Sequence, residues 1–128
     1  MDMEQEIKAA GADRAPRITP ADIEAAIVAE NYFTAAEGIH GAGIASGKSF
    51  EHIPYSEHEL LTICVLVLKN SFTVVGHSAC ASPENFDAEI GRKVARQDAV
   101  RQVWPLLGYA LRDKLHASET AIEPGRDA

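Results

Sequence analysis

The segment Leu61–Leu68, LTICVLVL, constrains this chain more than any other. Leu61, Ile63, Val65 and Val67 point one way in an extended strand, and Thr62, Cys64, Leu66 and Leu68 point the other. Both rows are mostly apolar, so the strand is covered on both sides, or one face meets a partner chain. A two- or three-residue turn at Lys69-Asn70-Ser71 then leads into a second strand, 72–76, returning antiparallel. Asn70 suits a turn position of positive φ, and Ser71 suits one less well than glycine would. A hairpin this small is not stable alone, so the rest of the chain must pack on it.

The next segment supplies a partner. Ser82 is a candidate helix cap with Pro83 in the first helical position, and Glu84 and Asp87 favour the positive end of the dipole. At 100° per residue, Phe86, Ile90, Val94, Val100 and Trp104 share one face. A second stripe, Ala88, Gly91, Ala95 and Ala99, holds only small residues. Such a stripe lets another backbone approach closely, within the fold or across a dimer. Pro105 is expected to kink or end this helix, with a last short helix from Leu106 to about Leu115.

Upstream, Thr19-Pro20-Ala21-Asp22 reads as a helix start with a capping box. Ile23, Ala26 and Ile27 recur at helical spacing, with Tyr32 and Phe33 near the helix end and Gly38 as its stop. Residues 38–53 are glycine-rich and read as a mobile loop. Within them AGIASGKS resembles a phosphate loop, but Ala42 stands where the strict pattern needs glycine. The strand–loop–helix context is also missing. Residues 1–17 read as a disordered arm and 117–128 as a disordered tail. That leaves one α+β domain over 18–116: a small antiparallel hairpin or sheet packed with an N-terminal and a long C-terminal helix.

The formal net charge is −7, which argues against a nucleic-acid binder with a basic face. It leaves room for a small anion held by local arginines. The first residues carry no apolar signal segment and no apolar run approaches a membrane span. Two cysteines fit a reducing cytoplasm. The five histidines share no metal spacing, so neither metal nor cofactor is expected. A thiol nucleophile built from Cys80 and His77 is a weaker alternative resting on proximity alone.

The polar groups at the strand-to-helix corner hold more promise. Ser78, Ser82 and Asn85 sit where a helix start offers unpaired N–H groups. Arg92 and Arg96 lie one turn apart on one flank, and Arg101 falls on the face of Phe86 and Trp104. Long polar side chains there meet a carboxylate, a carbonyl or a ligand phosphate. The plain alternative is solvated arginines paired with Asp87, Glu89 or Asp98 at helical spacing. The candidate ligand residues are therefore Phe72, Asn85, Phe86, Arg92, Arg96 and Arg101, with no catalytic residue.

Several motifs fall in order: Lys69-Asn70-Ser71-Phe72, Gly76-His77-Ser78-Ala79-Cys80, Pro83-Glu84-Asn85-Phe86-Asp87, Gly91, and Trp104-Pro105 followed by Gly108-Tyr109. Together they resemble the Gp-forty-nine-like, or gene-sixty-six-like, family of small tailed-phage and prophage proteins. Ser71 departs from that pattern, which favours glycine. The family also resembles the Thoeris anti-defence sponges. That resemblance implies a non-enzymatic homo-oligomer in the host cytoplasm that binds a cyclic ADP-ribose type signal between subunits and holds it uncleaved. The acidic charge and the short apolar runs leave no nucleic-acid or membrane partner expected. The alternative is a phage–host protein-interaction module with no small-molecule site.

Overall fold

A computed structural model describes residues 2–122, with only the backbone of Ser49 and Ile122. The elements run α1 (Met3–Ala9), α2 (Pro20–Ala26), β1 (Ile27–Thr34), α3 (Ala35–Ser46), β2 (Leu61–Leu68), β3 (Thr73–Ala79) and α4 (Ala88–Ile122), with short 3-10 turns between them. The α+β class stands. The described residues form two compact units, Ala26–Gln102 and a second made of 2–25 with 103–122.

In the first unit a three-stranded antiparallel sheet runs in the order β1-β2-β3. β2 has the bounds and alternation its sequence implies: Thr62, Cys64, Leu66 and Leu68 are buried, and the other row is half-exposed. The hairpin closes through three residues, with Leu68 N–H donating to Phe72 O at 2.8 Å and Ser71 N–H to Leu68 O at 2.9 Å. The positive φ falls on Ser71 (74°) rather than on Asn70. The Asn70 carboxamide instead accepts the Phe72 N–H at 3.0 Å.

The third strand is a correction. The expected helix through Phe33 ends at Ala26, and Ile27–Thr34 pairs with β2, Tyr32 facing Cys64 and Phe33 facing Ile63. Ile27, Val28, Tyr32, Phe33 and Thr34 are β-branched or aromatic, and β2 offers them a ladder that an isolated helix lacks. The glycine-rich loop is a second correction: residues 35–46 are helical. Thr34 and Glu37 form a capping box at the start, and Gly47 ends the helix in the left-handed region (φ 71°). These caps offset the glycine cost, and Gly38 lies inside the helix instead of stopping it.

α4 begins later than expected. Ser82 makes no side-chain cap; Pro83–Asn85 is a 3-10 turn, and Asp87 caps α4 by accepting the Ile90 N–H at 3.0 Å. Its small-residue stripe faces the fold: Gly91, Ala95 and Ala99 are buried, while Ile90 is 59% exposed. The reason lies at Gly76 of β3. A Cβ there would collide with the backbone of Ala95 and Ala99, coming within 2.8 Å of Ala99 Cα. Helix and strand touch backbone to backbone, so only small side chains fit between them.

In the second unit, Thr19 and Asp22 form the expected capping box, with Thr19 N–H to Asp22 Oδ2 at 2.8 Å and Asp22 N–H to Thr19 Oγ1 at 3.2 Å. The expected disordered arm contains α1, whose own capping box joins Asp2 and Gln5. Arg17 binds Glu4 through its two terminal guanidinium nitrogens, Nη1 at 3.1 Å and Nη2 at 2.6 Å. That hydrogen bond holds the Glu4 carboxyl below its ordinary range. Pro105 lies inside α4, although it removes one ladder bond. The helix continues to Ile122, so the expected tail is helical over 117–122; residues 123–128 lie outside the described residues.

Candidate functional site

The site lies in the unit Ala26–Gln102, on the side of α4 that faces β1. There the end of β1, the first turn of α3, β2, the 3-10 corner and the start of α4 enclose a pocket of about 170 Å³. Its walls are Tyr32, Phe33 and Phe86, with Thr34, Glu37, Thr62, Ala88 and Arg92 completing the lining. Each arrives for a local reason. The β1–β2 register puts Thr34 opposite Thr62. Phe86 closes the 3-10 turn by donating its N–H to Pro83 O at 3.2 Å. Arg92 follows one turn after the Asp87 cap.

Two polar groups here have no protein partner among the described residues. Arg92 makes no hydrogen bond or ion pair and is exposed at the mouth. Thr62 is only 3% exposed, yet its hydroxyl makes no hydrogen bond. That oxygen is reached from the pocket rather than sealed in the core. The other polar groups are answered. Glu37 accepts the Thr34 N–H at 3.0 Å. Burial, and then the neighbouring Cys64, push the Tyr32 phenol up to about 12. The Cys64 thiol is likewise pushed up, first by burial.

One turn further along α4, Arg96 donates from Nε to Glu30 Oε2 at 2.9 Å. Arg96 also lines an open groove of about 510 Å³ with Lys93, Gln97, Val100 and Arg101. This groove is broad but formed by one helix, and its cations have acidic neighbours: Lys93 meets Glu89 at 3.5 Å, and Arg101 meets Asp98 at 3.1 Å. The aromatic pocket is therefore the better-built site, and the groove is a continuation of its charged flank.

The candidates thus separate. Phe86 and Arg92 share the pocket, and Arg96 and Arg101 share the groove. Phe72 sits on the hairpin turn, 54% exposed, and Asn85 lies exposed on the 3-10 turn; neither lines either cavity. Tyr32 and Phe33 were hidden by the helix expected there. Thr62 carried a signal: it is the one hydroxyl in the buried row of β2. The His77 ring faces Asp98, with Nδ1 3.5 Å from Oδ2, whereas Cys80 Sγ donates to Ser82 O at 3.2 Å.

The model of the Phage protein (N4 Gp49/phage Sf6 gene 66) family matches residues 18–115. The chain belongs to this phage protein family. No curated protein and no solved structure matches it. Among the described residues, no group of acidic, histidine or cysteine side chains is placed to hold a metal ion, and no helix is long and apolar enough to cross a membrane.

Proposed function

We propose that this phage protein binds a small cyclic nucleotide signal of the cyclic ADP-ribose type and sequesters it without cleaving it, countering anti-phage defence in the host cytoplasm. The observation that carries the reading is the pocket where three aromatic rings meet an arginine with no protein partner among the described residues. Aromatic faces take a flat base, and a guanidinium takes phosphate in charge-assisted hydrogen bonds. The volume of about 170 Å³ is below the roughly 300–1,000 Å³ of pockets that enclose a whole drug-sized ligand. The base therefore enters, and the phosphates lie outside along Arg92 and Arg96, which face the same flank one turn apart. A second copy of the chain completes the site as a homo-oligomer. No cofactor, metal, nucleic acid or membrane takes part.

Calorimetric titration with cyclic ADP-ribose isomers tests this, followed by heating and mass spectrometry of the released ligand. Tight binding with the ligand recovered intact is expected. A changed mass would make the protein an enzyme. A second reading, a protein-interaction module, draws on the other face of the sheet, where Leu61, Ile63, Val65 and Val67 are half-exposed beside Val75, 53% exposed. Absence of heat with every isomer, together with capture of one defined host protein, would favour it.

A further inference from the structure

The inner end of the aromatic pocket has a feature that binding phosphate does not require. Thr62 is almost wholly buried, lines the pocket and keeps its hydroxyl without a protein partner among the described residues. Gly91 of α4 packs directly beside that hydroxyl. A Cβ at Gly91 would lie 2.8 Å from Thr62 Oγ1 and 3.7 Å from Phe86 Cε2. α4 can therefore approach the hydroxyl this closely only because Gly91 carries no side chain. Rings line the sides, the one unanswered hydroxyl lies within, and the unpaired guanidinium stands at the exposed mouth.

We infer that Thr62 is the specificity-determining residue of this pocket: its hydroxyl hydrogen-bonds the polar edge of a flat heteroaromatic base, of which a purine is the natural size class. This rests on the proposed function only in taking the base to be part of a nucleotide. A hydroxyl can donate and accept, so it serves the exocyclic amino group and the six-membered-ring nitrogen beside it. A site built around such a group discriminates against a ring of the same shape that lacks it, because the hydroxyl is then left unanswered. Arg92, outside, adds affinity for any phosphate-bearing ligand and does not distinguish one base from another.

The test uses the full chain, with adenine and benzimidazole as probes. Both are flat bicyclic rings, and benzimidazole lacks the amino group and the six-membered-ring nitrogens. Binding is followed by NMR through the Thr62 and Gly91 signals. Adenine is expected to shift both signals. Thr62→Val keeps the side-chain shape, and is expected to weaken adenine about tenfold, the scale of one buried hydrogen bond. Benzimidazole should be unaffected by it. Thr62→Ser should retain adenine, and Gly91→Ala, whose methyl would press on Thr62 Oγ1, should displace the hydroxyl and weaken adenine. Unchanged amide spectra in Thr62→Val and Thr62→Ser keep folding separate from recognition.

Equal adenine affinity in the parent and Thr62→Val would overturn the assignment, as would adenine that leaves the Thr62 signal unmoved. The two readings fail differently. If cyclic ADP-ribose binds and Thr62→Val does not weaken it, sequestration stands and the role of Thr62 falls. If no cyclic nucleotide binds but adenine still acts through Thr62, the role of Thr62 stands and sequestration falls.

Discussion

The two sides of α4 over residues 88–102 do opposite things. On the β3 side the polar groups meet partners. Asp98 accepts the His77 N–H at 2.9 Å, and Gln102 donates to Val75 O at 2.7 Å, so two side chains one helical turn apart close the exposed edge of β3. Gly76 brings the backbones together just beneath them. On the β1 side Arg96 reaches across to Glu30, while Arg92 and the Thr62 hydroxyl meet no protein partner among the described residues. One helix thus seals one strand edge and leaves a pocket at the other. Stability is concentrated on the sealed side and recognition on the open one.

The largest effect should come from breaking the sealed side at its closest point. Gly76→Val places carbon atoms against helix backbone, which cannot rotate out of the way. A loss of more than about 3 kcal/mol is expected from urea unfolding. A variant within about 1 kcal/mol of the parent would mean that α4 does not rest on β3 as described.

Arg92→Ala attacks the open side. Removing an exposed side chain that has no protein partner should leave the urea midpoint nearly unchanged, within about 0.5 kcal/mol. The same change should weaken a phosphate-bearing ligand by roughly tenfold or more, the scale of a charged hydrogen bond. If Arg92→Ala unfolds the protein instead, the division of labour between the two sides is wrong.

These contrasts were only partly visible in the sequence. β2 declared itself because a near-continuous apolar run is bounded by Ser56-Glu57-His58-Glu59 on one side and Lys69-Asn70 on the other. The small-residue stripe was visible too, but its partner, Gly76, lies in another element, and only the fold joins them. Ile27–Thr34 misled because Ile23, Ala26 and Ile27 fit helical spacing equally well, and pairing with β2 decided the matter. With Tyr32 and Phe33 placed in a helix, two of the three pocket rings could not be brought to Phe86. Arg92 stood out by charge, but nothing local separates it from Arg96, which is tied to Glu30 on a distant strand. Pairing across the sheet, which no local pattern carries, is what was missing in each case.

Gln102→Ala removes half of the edge closure and should cost about 1 kcal/mol, the usual net worth of a hydrogen bond. The backbone stays paired on its β2 side, so the strand should survive. Equal stability in the variant would show that water answers the Val75 carbonyl as well as Gln102 does.

The smallest effect is one of pH, and it also belongs to the sealed side. The His77 N–H, followed by the Arg101 side chain, holds the Asp98 carboxyl below its ordinary value of 3.8. The His77 ring, with Nδ1 3.5 Å from Asp98 Oδ2, faces the same oxygen. A carboxyl whose folded pKa lies below its unfolded one stabilises the fold above the unfolded value. That contribution is lost as pH falls through the folded one. Stability should therefore be level in this respect down to about pH 4 and decline below it. Asp98→Asn keeps an oxygen to accept the His77 N–H but cannot titrate there. Urea midpoints for the parent and Asp98→Asn should lie close together near neutral pH, and the parent should fall more steeply below about pH 4. Parallel acid slopes would place the titrating group elsewhere. Hydrogen exchange then reports on the edge directly: the His77 amide should lose protection in Asp98→Ala and keep it in Arg92→Ala, because only the first variant removes the acceptor that closes β3.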